Sequence, residues 1–174
     1  MAFYALFEIA AFAVTIPFLW YFLARTKIGK PLAASMLVTA VFEILNETVF
    51  AGVGTVYPDV LVPFPFFSFP LVIIPLGGFY SGIINFTALK AAGFFKGRFA
   101  RAVSFLITAA LLNLLSIVIE SFGIYSGLWR HSHPTGISTI YFAVYVYYLI
   151  IVFSASVFTA AGILNRKASR SSQV

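Results

Sequence analysis

Apolar residues fill five stretches of the chain, at about 3–24, 32–54, 66–89, 102–122 and 138–164, and polar residues gather between them. Each stretch is near the ~20 residues with which an α-helix crosses the hydrocarbon core of a bilayer. The pattern predicts an all-α, polytopic membrane bundle of about five transmembrane helices. It forms one unit over 1–165, followed by a polar tail at 166–174. No hydrophilic segment is long enough for a second domain.

Charge placement orients the bundle. Arg25, Lys27 and Lys30 lie between the first two stretches, Lys90, Lys96, Arg98 and Arg101 between the third and fourth, and Arg166, Lys167 and Arg170 after the fifth. With five spans these segments share one face, leaving only Arg130 opposite; four or six spans would scatter them. The excess of basic residues marks that face as cytoplasmic. The N-terminus is then outside and the C-terminus inside, in a plasma or inner membrane. The first stretch reads as an uncleaved helix rather than a signal peptide, since no basic residue precedes it and Glu8 interrupts it.

Composition adds to this picture. The chain is 61% hydrophobic and 9% charged, against about 25% charged in soluble domains, so it has too little polar surface to face water. The net charge of +6 is explained by membrane edges, not by nucleic acid. The absence of cysteine excludes disulfides and thiol catalysis.

The third stretch is irregular. Prolines at 58, 63, 65, 70 and 75 approach and enter it, followed by Gly77 and Gly78. Interior prolines kink helices, which predicts a kinked or broken third span. Gly78–Gly82 has the small-xxx-small spacing of close helix packing. Gly123–Gly127 has the same spacing, but at the end of a span, where turn chemistry competes with packing. Trp20 and Trp129 fall near opposite interfaces, as in an aromatic belt.

Against this background the acids stand out. Four of the five acidic residues, Glu8, Glu43, Glu47 and Glu120, lie inside the stretches, and Asp59 lies in an outer loop. At 1.5 Å per residue, Glu43 falls near mid-bilayer, Glu8 ~8 Å outward and Glu120 ~12 Å outward. Glu47 lies one turn beyond Glu43 on the same helix face, with Asn46 beside it. No lysine or arginine inside a span pairs with them. A charge at mid-bilayer costs ~2.5–3.5 kcal/mol even on lenient scales. Such carboxyls are expected to keep or share a proton, which is the state of a general acid at neutral pH. They also fit the structural role of hydrogen-bonding helices together through Asn113, Ser116 or tyrosine hydroxyls.

Other polar residues are less informative. His131 and His133 match no metal-binding pattern, and no metal is expected. Arg130 is placed to close a pocket mouth or to make an interfacial ion pair. Aromatic residues are abundant, with 21 Phe and 9 Tyr. Tyr141, Tyr145 and Tyr148 follow helical spacing, and Phe67 and Tyr80 belong to the crowded third segment. Ring faces stabilise a cation without attacking it, so these residues, with Asn113 and Trp129, are candidate substrate contacts beside Glu8 and Asn46.

Asn46-Glu47 in one span, together with Glu120, Phe122, Gly123, Gly127, Leu128 and Trp129 at the outer end of another, resembles the integral-membrane carotenoid hydratases and lycopene-cyclase-type proteins. It is also similar to small membrane terpene cyclases. The resemblance implies protonation of a polyene or epoxide by intramembrane acids without metal or cofactor. Glu43, Glu47 and Glu120 would be the acid/base residues and Asn46 a positioning residue.

The expectation is therefore a membrane-embedded, cofactor-independent acid/base enzyme acting on a lipid or isoprenoid by cyclisation, isomerisation or hydration. Its partners are a lipophilic small molecule and the membrane, with no nucleic acid. Two other readings stand beside it: a proton- or cation-coupled carrier or channel subunit, for which the small size implies a homo-oligomer, and a non-catalytic membrane assembly partner.

Overall fold

The computed structural model describes residues 2–25, 29–49, 55–57, 60–63, 65, 69–131, 145–157 and 159. It is all-α apart from one short strand pair. The helices are α1 (Ala2–Arg25), α2 (Gly29–Val49), α3 (Ile73–Gly93), α4 (Arg98–Asn113) and α5 (Leu115–Tyr125). A further short apolar helix covers Tyr145–Val157. α3 is central, packing most extensively on α2 and α4, and α1 lies across α2 and α3.

Two helical stretches, Tyr4–Tyr21 within α1 and Arg98–Tyr125 across α4 and α5, are long and apolar enough to cross a membrane. In the second, the Leu114 N–H is shared between the carbonyls of Ala110 and Leu111, an irregularity of one residue in an otherwise continuous rod.

The third segment differs from the sequence expectation. α3 starts at Ile73, not near 66, and it is unbroken. Pro75 falls in its first turn, where a helix N–H has no intrahelical partner to lose. The preceding prolines instead shape a loop: Pro63 and Pro70 form an isolated bridge, and the Leu71 N–H donates to the Val62 carbonyl at 2.8 Å. Above it, β1 (Thr55–Val56) pairs antiparallel with β2 (Arg130–His131), Val56 opposite Arg130. This clip ties the α2–α3 connection to the segment after α5.

Polar side chains are buried beside the apolar core, while many large apolar ones face outward. Glu8, Thr15, Ser35, Thr39, Glu43, Ser81, Asn85, Asn113 and Ser154 are at most 1% exposed. Leu6, Ile16, Leu37, Leu111, Val118 and Tyr125 are more than half exposed. Small residues let α3 approach its neighbour: a Cβ on Gly78 would stand 3.1 Å from the Met36 carbonyl oxygen. An apolar cluster of Ile84, Ala88, Ala109 and Ile151 joins α3, α4 and the Tyr145–Val157 helix, with Tyr148 packed against it.

The E-x-F-G-x-x-x-G-L-W segment is a helix ending. Gly127 takes φ +72°, the left-handed conformation that glycine adopts at no steric cost. The N–H groups of Gly127 and Leu128 donate to the carbonyls of Ile124 and Gly123 at 3.1 and 2.9 Å, the two bonds of a Schellman motif. The reversal folds Trp129 back so that its indole occupies the space a side chain on Gly123 would need. Trp129 is thus buried in a cluster with Tyr4 and Leu128 rather than set in an interfacial belt, whereas Trp20 is 63% exposed.

Candidate functional site

The site is built on one face of α2. Ser35, Thr39, Glu43 and Glu47 recur every four residues, a spacing that stacks side chains along a helix, and all four are buried. α3 lies against this stripe.

Glu43 occupies the centre. Its carboxyl group lies on the bare Cα of Gly77, where a Cβ would stand 2.6 Å from both Cγ and Oε1. Neither carboxyl oxygen has a hydrogen-bond partner among the described residues. The Tyr147 phenol, from the Tyr145–Val157 helix, stands beside the carboxyl group, close enough to favour its charged form, and also acts electrostatically on Glu47 and Glu120.

Glu47, one turn outward, accepts a hydrogen bond at 3.0 Å from the Tyr57 hydroxyl. Burial pushes the Tyr57 phenol well above its ordinary pKa, and the adjacent Glu47 adds to the shift, so this hydroxyl remains a donor at neutral pH. Tyr57 and Phe7 also pack against Trp129, at ring-centroid distances of 6.5 and 6.4 Å. Glu120 is partly buried on α5 and within electrostatic reach of Glu47 and Tyr147. The three carboxyl groups of Glu43, Glu47 and Glu120 therefore belong to one neighbourhood, roofed by Tyr4, Tyr57 and Trp129.

Tyr80 and Asn113 adjoin it. The Tyr80 hydroxyl donates to the backbone carbonyl and Oδ1 of Asn113, both at 3.4 Å. The Tyr80 ring meets that of Tyr147 edge-on at 6.3 Å.

Glu8 has a different task. Its two oxygens accept the N–H groups of Leu61 at 2.8 Å and Val62 at 3.1 Å. It clamps the proline-rich loop to α1. Tyr145 is 59% exposed and points away from the interior. The inward face of that helix carries Tyr147, Ile151 and Ser154 instead. The Asn46 side chain, Phe67 and Tyr141 lie outside the described residues. The phenols Tyr57 and Tyr147 had no periodic signal that singled them out. Ser35 and Thr39 did: they continue the i, i+4 series of the two glutamates.

A groove of about 280 Å³ runs along the outside of the α1–α2–α3 seam, lined by Leu19, Met36, Ala40, Ile74, Pro75 and Gly78 among others. It is apolar, and Ala40 and Gly78 bring it next to Glu43 and Gly77 in sequence. Among the described residues no group of acids and histidines is arranged to hold a metal. Comparison with protein-family models, curated proteins and solved structures finds no match.

Proposed function

We propose that the chain is an integral membrane enzyme that protonates a lipophilic, isoprenoid-type substrate. The observation that carries this reading is the Glu43 carboxyl group, enclosed in the protein interior beside the Tyr147 phenol, with no cationic side chain against it among the described residues, and one turn from a second carboxyl.

The apolar helices and their exposed apolar side chains support the reading of five membrane crossings. α4 and α5 form one crossing and the segment around Tyr145–Val157 the fifth. Basic residues at Lys30, Lys90, Lys96, Arg98 and Arg101 then share the cytoplasmic side.

Two carboxylates one turn apart in low dielectric repel each other, so the pair holds a proton. Each carboxyl has a phenol beside it, Tyr147 at Glu43 and Tyr57 at Glu47, and the proton is assigned to Glu43 as the more enclosed of the two. Glu43 is then the acid. Its O–H bond breaks as the π electrons of a substrate double bond form a new C–H bond, leaving a carbocation. Alternatively, the proton goes to an epoxide oxygen as a C–O bond opens. Glu47 or Glu120 then removes a proton from an adjacent carbon, giving isomerisation or cyclisation, or from a water that has captured the cation, giving hydration. The rings of Tyr57, Tyr80, Tyr147 and Trp129 offer faces to the positive charge. The likeness of Asn46-Glu47 and of the Glu120–Trp129 segment to carotenoid hydratases and membrane terpene cyclases supports this substrate class. The groove along α1, α2 and α3 supplies an apolar approach.

The test is deuterium transfer. Purified protein in nanodiscs is given linear isoprenoid polyenes and their terminal epoxides in heavy water, and the recovered lipid is weighed by mass spectrometry. The wild type should place deuterium on carbon or form ring or hydroxyl products. Glu43→Gln should lose at least about a hundredfold, the usual contribution of a general acid. Undiminished turnover in folded Glu43→Gln and Glu47→Gln proteins sinks the reading. One observation favours a second reading, a cation- or proton-coupled carrier: the polar stripe continues below Glu43 to Thr39 and Ser35. Proton flux in liposomes that disappears in Glu43→Gln, with no lipid product, selects the carrier.

A further inference from the structure

The turn between α3 and α4 carries chemistry that the carboxyl site does not use. Lys90 lies in the last turn of α3, Lys96 in the connection, and Arg98 and Arg101 in the first turn of α4. All four side chains are exposed. Lys30 joins them. α2 and α3 run antiparallel, with Thr39 bonded to Ser81 and Asn85 to Ser35, so the start of α2 comes level with the end of α3. Lys30 is exposed as well, and the cations collect at one end of the bundle.

The helices supply no acid to offset this charge. No acidic residue occurs between Asp59 and Glu120. Glu120 lies about 30 Å along the α4–α5 rod from Arg98, and Glu43 about 20 Å along α2 from Lys30. Both distances exceed the ~8–10 Å over which salt screens exposed charges. Arg98 and Arg101 also oppose the dipole of α4, since cations are unfavourable in a first helical turn, and no acid accompanies them there. An anion that relieves this end of the protein has to come from outside the chain.

Two aromatic rings flank the cations. Phe94 is 89% exposed and Phe99 83%, so neither packs into the fold. The backbone holds the group together: the Arg101 Nε–H donates to the Phe95 carbonyl at 2.9 Å, and Gly97 makes the turn at φ +91°. Rings of this kind enter the boundary between headgroups and acyl chains, while lysine and arginine stems carry their charges to the headgroups.

We infer that the α3–α4 turn, with Lys96 and Arg98 at its centre and Phe94 and Phe99 on its flanks, is a docking surface for an anionic phospholipid. The phosphate headgroup meets the cations and the acyl chains lie against the rings. A free phosphate would use the cations and leave both rings in water, so the combination favours a lipid. The surface rests on the membrane reading of the helices and not on the acid chemistry of Glu43.

The probes are phosphatidylglycerol, phosphatidylcholine with the same chains, and glycerol phosphate, which has the charged group without the chains. Each is titrated into the purified full chain in neutral detergent, and bound molecules are counted by native mass spectrometry. A basic residue near a lipid surface contributes about fivefold in affinity, so phosphatidylglycerol should bind at least about fivefold more tightly than phosphatidylcholine. Lys96→Gln with Arg98→Gln should bring the two lipids close to equality, and Phe94→Ser with Phe99→Ser should weaken phosphatidylglycerol severalfold. Arg130→Gln removes one charge beyond the other end of the α4–α5 rod and should change nothing. Equal binding of the two lipids by the wild type overturns the surface, and that result needs no variant to fold. Unchanged phosphatidylglycerol affinity in either folded double variant also overturns it. Glycerol phosphate binding as tightly as phosphatidylglycerol assigns the cations to a free anion, and an equal loss in Arg130→Gln assigns the preference to overall charge; each overturns the lipid surface. Insertion is read separately, as resistance to alkaline carbonate extraction from phosphatidylcholine vesicles. A chain that inserts without a lipid preference loses the surface alone, and one that does not insert loses the membrane reading and the surface with it.

Discussion

Gly77→Ala is the sharpest perturbation of the candidate site. It adds one methyl group, and that methyl would stand 2.6 Å from Cγ and Oε1 of Glu43 and 2.9 Å from its Cδ. Three atoms of one enclosed side chain must move together, and Glu43 is only 1% exposed. Overpacking of this kind costs about 1–3 kcal/mol. Alanine offsets part of that cost, since it is favoured over glycine inside a helix by about 0.8–1 kcal/mol. The net is a loss of about 0–2 kcal/mol. Gly93→Ala is the control: it lies in the same helix, with no atom within 4 Å of the added Cβ, and it should gain up to about 1 kcal/mol. The decisive measurement is a double-mutant cycle by denaturant unfolding in micelles. In a Glu43→Ala background the obstructing atoms are gone, and Gly77→Ala should become neutral or stabilising, a coupling of about 1–3 kcal/mol. The cavity left by Glu43→Ala is common to both arms and cancels. An unchanged effect of Gly77→Ala in the two backgrounds would refute the packing of Glu43 on Gly77 and remove the basis for placing the acid there.

Other substitutions probe the surroundings. Tyr57→Phe removes the 3.0 Å bond to Glu47 and should lower stability by about 0.5–1.5 kcal/mol; deuterium transfer should fall as well, because the charge on Glu47 loses its donor. Glu8→Gln keeps the volume but weakens acceptance of the Leu61 and Val62 N–H groups. Hydrogen exchange at those two amides should accelerate while exchange in α3 stays unchanged. Gly127→Ala forces a Cβ into φ +72° and should cost about 1–2 kcal/mol, read as a lower unfolding midpoint and a more exposed Trp129 fluorescence. Tyr145→Phe, at an outward-facing ring, should leave both stability and turnover within about 0.5 kcal/mol of wild type.

Much of the helical framework was legible from hydrophobic patterning, because long apolar runs have few alternatives to a helix. The spacing of Glu43 and Glu47 also placed both on one face, and both are buried, Glu43 against Gly77 of α3. What escaped was set by tertiary contact. Glu8 has the same surroundings in sequence as the other acids, yet its oxygens meet two loop N–H groups, and only the path of the 60–63 segment decides that. The prolines suggested a broken helix, but helix entry at Ile73 brings Pro75 into the first turn, where it does no damage. On the Tyr145–Val157 helix, tyrosine spacing alone favoured the face of Tyr145. Ser154, fully buried, marks the inward face, and it shares that face with Tyr147. Trp129 sits where a belt residue belongs, but the reversal at Gly127 folds it back onto the bare Gly123, which admits the indole.

The α2 stripe divides into two levels of different chemistry. The outer level holds Glu43 and Glu47 with phenols from Tyr57 and Tyr147, groups that exchange protons. The inner level holds Ser35 and Thr39 with Ser81, Asn85 and Ser154, groups that stay neutral and supply oxygens. α3 accommodates the two levels in different ways: Gly77 gives way to a carboxyl group, whereas Ser81, one turn on, meets a hydroxyl. Mere adhesion between helices would be served by the serine–asparagine level alone, since neutral hydrogen bonds join helices in oil without the cost of placing an acid there. The Glu43 carboxyl, with only the Tyr147 phenol beside it among the described residues, adds little to that adhesion. The proposed acid chemistry gives its presence on the same stripe a reason, and Gly77, which admits it, would belong to the same provision.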